Sequence, residues 1–292
     1  MKNITYIKSP INWVGNKFKY LDIINDLIQN KQYSMVVDLF MGSGNVILNL
    51  DCKAKKYIGN DKNKLVPTLY KKIPQYTYTL ENLENILNQN NRFSTKESYY
   101  TFRDYWNKKY LTDNFDKEFI IETMLLLKMC SNSMVRFNPK EGYFNQGFRG
   151  LGNKKEFFTN TMKDIIIDGL NQLVVHIRNK NFIFTNYDFL EYKDDNNDRL
   201  LLLDPPYILR KDMYDTDFTE KHDEQLLELI SNTKNNFIYF NYLYRDGVIN
   251  EKLSNVIEHK NFKLIDINNK TLAGQGRSEN IKEVQEVIVT NV

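Results

Sequence analysis

The segment Leu201–Tyr207, in which three leucines lead into Asp-Pro-Pro-Tyr, constrains the fold of this chain more than any other. Its apolar run predicts a short buried strand, and the two prolines, which fix φ and lack an N–H donor, take the chain out of the sheet as a rigid turn. Open α/β sheets bind ligands at the carboxyl ends of their strands. We therefore expect Asp204 and the Pro205 carbonyl to accept from an amino group while the Tyr207 ring stacks on a planar heterocycle. The alternative is a strand-ending turn with a surface tyrosine.

A glycine turn follows an earlier strand. Met35–Phe40 predicts that strand, and Phe40-Met41-Gly42-Ser43-Gly44 ends it. Glycines allow a ligand to approach the backbone, or they simply allow a tight turn. The lack of a third glycine and of Gly-Lys-Ser/Thr argues against a dinucleotide fingerprint and a phosphate loop. Asp61, at the end of the next strand, is placed either to accept from a ribose or to cap the following helix.

The N-terminal segment Pro10–Lys17 places a tryptophan, a glycine and a lysine ahead of a predicted helix. A cation at a helix start is unfavourable with the helix dipole, which favours a negative ligand for Lys17. The alternative is a solvated lysine beside a Trp13 ring that packs on the sheet.

The order of the predicted elements indicates an α/β fold interrupted by a helical insertion over residues 76–159. Helices are predicted at Phe18–Ile28, Val46–Leu50, Leu80–Leu87, Thr95–Lys109, Lys117–Met129, Thr161–Ile177 and His222–Ser231. Strands are predicted at Met35–Phe40, Lys56–Gly59, Phe182–Phe184, Leu200–Leu203, Asn236–Phe240, Phe262–Ile267 and Val284–Thr290, the last two as an antiparallel hairpin.

Charge is distributed unevenly along the chain. The 292 residues have a net charge of +3, yet Lys128–Thr159 alone has six basic and two acidic residues, and aromatic residues lie between them. This pattern is typical of contact with nucleic-acid phosphates and bases, although a solvated basic face produces it too.

Composition excludes several classes of protein. An aromatic content of 13% argues against disorder, and no apolar run approaches the length of a membrane span. The N-terminus has no secretory signal pattern. The two cysteines and three histidines are not clustered, so we expect no metal site and a reducing, cytoplasmic setting.

Together these motifs resemble those of the Dam-type DNA adenine-N6 methyltransferases over nearly the whole chain. Trp13–Lys17 is similar to that family's W-x-G-x-K, Asp38–Gly44 to its D-x-F-x-G-x-G, and Asp204–Tyr207 to its catalytic D-P-P-Y. Further similar segments are Asn60-Asp61, Asp188-Phe189, Phe218 with His222–Leu226, Asn132–Asn138 with Gly142–Asn145, Gly276-Arg277 and Glu286–Ile288.

The resemblance implies an α/β fold with a Rossmann-like methyltransferase sheet, mostly parallel with an antiparallel C-terminal hairpin, plus a mainly helical inserted target-recognition domain. Residues 1–75 and 160–292 would form the S-adenosyl-L-methionine-binding catalytic domain, and residues 76–159 the DNA-binding insertion. The implied activity is site-specific methyl transfer from S-adenosyl-L-methionine to N6 of a flipped-out adenine in double-stranded DNA. A restriction–modification, solitary or viral setting is compatible with this activity.

The resemblance also implies a role for individual residues. Asp204, Pro205, Pro206 and Tyr207 would be catalytic. The cofactor would contact Trp13, Lys17, Phe40, Gly42, Gly44, Asp61, Asp188 and Asp204, with Asp61 on the ribose and Lys17 on the methionine carboxylate or a phosphate. DNA would contact Asn132, Arg136, Asn138, Phe144 and Asn145.

Three departures from the family pattern are present. The Pro of F-N-x-P-x-G is missing from Asn145–Phe148, the step from Asn138 to Phe144 is about one residue longer, and His222-Asp223 reverses an Asp-His pair. The first two lie in the sequence-reading segment, so the family's target sequence is not transferred. A structured-RNA adenine methyltransferase and a catalytically silent DNA-binding module are the two alternative functions.

Overall fold

A computed structural model describes residues 6–13, 15–89, 95–138, 140–152, 156–210, 218–268 and 283–292. In those ranges the α-helices are α1 (Leu21–Ile28), α2 (Leu65–Lys72), α3 (Leu80–Asn88), α4 (Lys96–Leu111), α5 (Lys117–Met129), α6 (Asn160–Asn179), α7 (Glu220–Asn232) and α8 (Glu251–Lys260). The strands are β1 (Gln32–Asp38), β2 (Lys53–Asn60), β3 (Phe182–Thr185), β4 (Arg199–Leu203), β5 (Asn236–Arg245), β6 (Val248–Ile249), β7 (Lys263–Asn268) and β8 (Val284–Thr290).

The strands form one sheet in the order β3-β2-β1-β4-β5-β8-β7, and β6 pairs with β5. Strands β1, β4 and β5 are parallel, with Val37 opposite Leu201 and Leu202 opposite Ile238. Strand β8 is antiparallel to both β5 and β7. The predicted α/β class, with a parallel sheet and an antiparallel C-terminal hairpin, is therefore confirmed, and β8 also joins that hairpin to the parallel strands.

Strand β4 is buried, as its sequence predicts. Leu200–Leu203 is an unbroken apolar run, and each of these side chains is at most 2% exposed. Continuous apolar runs of this kind characterise strands that are covered on both faces of a sheet. This burial fixes the position from which the Asp-Pro-Pro-Tyr turn leaves the sheet.

The insertion is helical over the part of residues 76–159 that the structure describes, with α3, α4 and α5 and only isolated β-bridges. Each helix has a side-chain N-cap, from Thr79, Thr95 and Asp116 respectively. Capping of this kind stabilises a helix by about 1 kcal/mol. The predicted helices in this region are thus confirmed.

The predicted helix Val46–Leu50 is instead a single 3-10 turn, Ile47–Asn49. Two asparagine side chains hold this segment to the N-terminal chain: Asn49 bonds both the N–H and the carbonyl of Ile7, and Asn45 accepts from the Ser9 N–H at 2.8 Å. Side-chain bonds to backbone compete with helix formation. Helices α2 and α8 were not predicted.

Contacts divide the chain into two units. The first comprises Met1–Lys19, Met41–Asn49 and Ile58–Tyr187; the second comprises Tyr20–Phe40, Leu50–Tyr57 and Asp188–Val292. The glycine turn, Asp61 and the insertion belong to the first, and the Asp-Pro-Pro-Tyr turn to the second. Across the described ranges, no helix combines the length and apolar character needed to span a membrane.

Candidate active site

In the first unit, the glycine turn is packed so closely that side chains do not fit. Gly42 and Gly44 have φ of +48° and +75°, values that L-residues with side chains rarely adopt. A Cβ on Gly42 would lie 2.9 Å from Cδ1 of Trp13, and one on Gly44 would lie 2.8 Å from Cε2 of Tyr70. Trp13 therefore lines the glycine turn, and both glycines are required by conformation and by space.

Asp61 is held by backbone donors on both oxygens. Oδ2 accepts from the Gly42 N–H at 2.8 Å, and Oδ1 accepts from the Asn63 N–H at 2.9 Å. Burial raises the pKa of Asp61 to about 6, although these two bonds act in the opposite direction. The N-cap position of α2 is Lys64, which forms no side-chain cap, and the Leu65 N–H donates to Asn63 at 3.0 Å. The carboxylate thus belongs to the glycine turn rather than to the helix start.

Lys17 is buried, being 3% exposed. Its Nζ donates to the Gly15 carbonyl at 2.6 Å. A solvated lysine, one of the two alternatives from the sequence, is therefore wrong. Contact of Lys17 with an anionic ligand stays a prediction.

In the second unit, the Asp-Pro-Pro-Tyr turn leaves β4 directly after Leu203. Tyr207 is 4% exposed, so the alternative of a surface tyrosine is wrong. Its hydroxyl lies 3.0 Å from Oδ1 of Asp204, and its ring meets that of Tyr242 edge-on at 4.6 Å. Asp204 and Pro206 are partly exposed, whereas Pro205 is buried. The turn is therefore closed on itself by a bond between its first and last side chains.

Glu286 on β8 is a contact of this turn to which the sequence analysis gave no role. Its Oε1 lies 3.1 Å from the Tyr207 hydroxyl, and its Oε2 accepts from the Tyr20 hydroxyl at 3.2 Å. Burial, followed by the Glu286 charge, raises the pKa of Tyr20 above its ordinary value. The resemblance of Glu286–Ile288 to a family hairpin was the signal that pointed to this position.

A polar network lies in the middle of the neighbouring strand β5. Asn241 bonds the hydroxyl of Tyr239, which in turn lies 3.3 Å from Oδ1 of Asp223. Burial raises the pKa of Asp223, and the bonds from Tyr239 and Asn241 act against that rise. The segment His222–Leu226 that resembles a family motif contains Asp223, but nothing in the sequence indicated its contact with Tyr239.

Phe40 belongs to a partly exposed aromatic cluster. Its ring centroid lies 5.2 Å from that of Phe189 and 6.4 Å from that of Phe218, and His222 lies 5.6 Å from Phe218. Beside it, Asp188 caps a short 3-10 turn by accepting from the Leu190 N–H at 3.1 Å. These rings form an apolar surface suited to a planar group.

The predicted DNA-contacting residues of the insertion have different environments. Asn132 and Arg136 are exposed, and Asn132 has a left-handed backbone with φ of 58°. Asn138 accepts from the Lys140 N–H at 2.9 Å and so organises the local turn. Phe144 is 1% exposed and packs against Trp106. Asn145 has a buried Oδ1 that lacks a hydrogen-bond partner among the described residues.

Three cations gather near the end of α5. Burial and then the charges of Lys8 and Arg149 lower the pKa of Lys128. Arg149 donates to the Lys128 carbonyl at 3.3 Å and to Oγ of Ser133 at 3.5 Å. Lys8 and Arg149 are exposed, so this cluster offers positive charge at the surface of the first unit.

Groups of three or more His, Cys, Asp or Glu side chains that could hold a metal ion are absent from the described ranges. Val14, Gly276 and Arg277, which entered the sequence motifs, lie outside those ranges.

Parallel strands followed by a glycine turn and by an Asp-Pro-Pro-Tyr turn define a Rossmann-like protein of the methyltransferase type. The model of one family, described as D12 class N6 adenine-specific DNA methyltransferase, matches residues 13–272. The chain belongs to this family. Its members generally use S-adenosyl-L-methionine.

Two relatives are similar over most of the chain. The type II methyltransferase M.FokI of Planomicrobium okeanokoites is 26% identical over 99% of this chain and 44% of its own length. The modification methylase StsI of Streptococcus sanguinis is 26% identical over 87% of this chain and 36% of its own. The chain therefore spans less than half the length of these relatives.

Proposed function

We propose that this protein is a site-specific DNA methyltransferase that transfers a methyl group from S-adenosyl-L-methionine to N6 of adenine in duplex DNA. The observation that carries the proposal is the Asp-Pro-Pro-Tyr turn at the carboxyl end of β4, in a chain of the D12 class family. The turn offers a carboxylate and a peptide carbonyl next to each other, a pair of acceptors that matches the two hydrogens of an amino group.

The chemistry that these residues would perform follows from the properties of adenine. Its N6 lone pair is delocalised into the ring, which makes the nitrogen a poor nucleophile. Hydrogen bonds from N6–H to Asp204 and to the Pro205 carbonyl would favour a pyramidal nitrogen as the new bond forms. When bound, the cofactor supplies an activated methyl group on its sulfonium. The protein therefore contributes mainly alignment and charge placement.

Adenine inside a duplex is out of reach of this turn, so the base must be flipped out. Extrusion costs a few kcal/mol, and stacking on an aromatic ring returns about 1–3 kcal/mol per base. The Tyr207 ring is the predicted stacking partner. Because Tyr207 is buried without DNA, stacking requires one of its ring faces to become accessible when the base enters.

The glycine turn fits a cofactor of this class. The two glycines keep the space beside Trp13 and Tyr70 free of side chains, and the Asp61 carboxylate is suited to ribose hydroxyls. In the second unit, the ring of Phe40 and the carboxylate of Asp188 would meet the cofactor's adenine. Lys17 would meet its carboxylate.

We further propose that residues 76–159 read the DNA and that residues 1–75 and 160–292 form the catalytic domain. The exposed Asn132 and Arg136 are the best placed for base contact. Asn138 and Phe144 are better suited to holding the reading segment in shape, since one organises a turn and the other lies in the core. Asn145 suits either role, because its Oδ1 is buried and has no hydrogen-bond partner among the described residues.

The two relatives carry the names of modification enzymes, which favours a role in protecting DNA from a restriction nuclease. The family description names DNA as the substrate, and this argues against the alternative of a structured-RNA substrate.

The test is long-read sequencing of DNA from methylase-deficient bacteria that express the chain. We expect methylated adenines within one short sequence, and none with Asp204→Ala. Asp198→Asn is the matched control, because Asp198 is an exposed carboxylate just before β4 whose partner is Ser34 at 2.6 Å. Purified protein with labelled cofactor should methylate duplex DNA and leave RNA unlabelled. Preferential labelling of RNA, or cofactor binding without transfer to either, would establish one of the alternatives.

A further inference from the structure

Glu286 brings a second carboxylate to the Asp-Pro-Pro-Tyr turn. The side chain is 8% exposed, and its two oxygens meet two different tyrosine hydroxyls, those of Tyr207 and Tyr20, at 3.1 Å and 3.2 Å. Tyr20 precedes α1 and Tyr207 follows β4, so the residue joins three separate elements of the second unit. A buried carboxylate is expensive unless its oxygens are hydrogen-bonded, and here both are.

The sheet is irregular at this position. Strand β8 pairs with β5 and β7, and both pairings shift register beside Glu286, between Tyr242 and Tyr244 on one side and between Asp266 and Asn268 on the other. Bulges re-aim side chains, and they occur frequently next to active sites. The two irregularities lie at the position on β8 whose side chain reaches the Tyr207 hydroxyl.

The Tyr207 hydroxyl has two carboxylate oxygens within hydrogen-bond distance: Oδ1 of Asp204 at 3.0 Å and Oε1 of Glu286 at 3.1 Å. Asp204 is partly exposed, whereas Glu286 is buried and also accepts from Tyr20. Glu286 is therefore the better anchored of the two acceptors.

We propose that Glu286 is a positioning residue for methyl transfer: it accepts a hydrogen bond from the Tyr207 hydroxyl and so keeps the Tyr207 ring in place for the incoming adenine. This inference rests on the proposed function. Tyr20 supports it by donating to the second oxygen of Glu286, which orients the carboxylate.

The first experiment is a double-variant comparison of kcat on duplex DNA. Glu286→Ala should lower kcat by about 10- to 100-fold, the scale expected when a positioning contact is lost. The KM for the cofactor should not change. Tyr207→Phe removes the hydroxyl that Glu286 accepts from, so in that background Glu286→Ala should cause no further loss and the double variant should match Tyr207→Phe alone. An equal loss in both backgrounds would assign Glu286 to fold stability only and overturn the proposal.

The matched control is Glu283→Gln. Glu283 is exposed and also meets a tyrosine hydroxyl, that of Tyr244 at 3.3 Å. The Glu283→Gln variant should have the kcat and the midpoint temperature of thermal unfolding of the wild type.

The second experiment is independent of activity. In protein labelled with ¹³C at tyrosine Cζ, the resonances of Tyr207 and Tyr20 are assigned by their loss in Tyr207→Phe and in Tyr20→Phe. The conservative change Glu286→Gln should move both, and Glu283→Gln should move neither. Unmoved resonances would overturn the proposed hydrogen bonds even in an active enzyme. If the resonances move but the wild type methylates no DNA, the proposed function fails, and with it the catalytic role of Glu286.

Discussion

The backbone N–H of Gly42 donates to Oδ2 of Asp61 at 2.8 Å. This bond ties the turn after β1 to the acidic end of β2, and it aims the carboxylate at the space beside the glycines. Because the same bond stabilises the ionised form while burial opposes it, the charge of Asp61 is sensitive to pH near neutrality.

Cofactor affinity should fall as pH decreases through the pKa of Asp61, which burial raises to about 6. The ionised carboxylate accepts from ribose hydroxyls, and protonation removes that capacity, so binding is strong above pH 6 and weak below it. Calorimetric titration of S-adenosyl-L-methionine across about pH 5 to 8 measures this. The Asp61→Asn variant should bind weakly at every pH. Wild-type affinity that stays flat over this range would remove Asp61 from the cofactor site.

Replacing Gly42 with alanine should abolish detectable cofactor binding. The new Cβ would lie 2.9 Å from the Trp13 ring, and the backbone φ of +48° adds a strain of about 1–2 kcal/mol. Gly150→Ala is the matched control, since Gly150 has φ of +73° but no atom within 4 Å of the new Cβ. The midpoint temperature of thermal unfolding should drop slightly in both variants. Cofactor binding should be lost in the Gly42 variant alone. Equal binding by the two variants would show that the glycine turn does not contact the cofactor.

Lys128 should contribute to DNA binding through phosphate. Lys128→Gln should weaken binding to all sequences alike and reduce the slope of log affinity against log salt by about 1. Lys163→Gln serves as the control, because Lys163 is already paired with Glu84 at 3.2 Å. Fluorescence anisotropy at several salt concentrations gives both slopes. Identical slopes for the two variants would place the cluster of Lys8, Lys128 and Arg149 outside the DNA interface.

Arg136 should act on sequence discrimination. Arg136→Ala should lower the ratio of methylation rates between target and non-target duplexes, by an amount equivalent to about 1–3 kcal/mol for one base contact. Cofactor affinity should not change. Lys140→Ala, an exposed cation nearby, provides the comparison. A uniform loss on every duplex would make Arg136 a phosphate contact.

The regular elements could be predicted because their patterns are local. The apolar run of β4 and the long, largely apolar stretch of α5 can each be recognised within a few residues. The partnership of Tyr207 with Glu286 could not be predicted, since 79 positions separate the two residues and only the sheet order brings β8 beside β5.

The burial of side chains outside helices and strands could not be predicted from the sequence either. Lys17 and Phe144 lie in loop segments, where no periodicity distinguishes a buried side chain from an exposed one. The family motif marked both as functional, and only the structure separates a buried ammonium bonded to Gly15 from a ring packed on Trp106.

Among the described strands, β8 comes last in chain order, yet it lies between β5 and β7. While the protein is being synthesised, the edge of β5 therefore stays unpaired until β8 has left the ribosome. Strand β7 joins the sheet only through β8, so it too stays unpaired until then. The same strand delivers Glu286 to Tyr207. A frameshift or premature stop upstream of β8 would thus leave both an exposed sheet edge and an Asp-Pro-Pro-Tyr turn without Glu286, so unfinished molecules would be prone to aggregation.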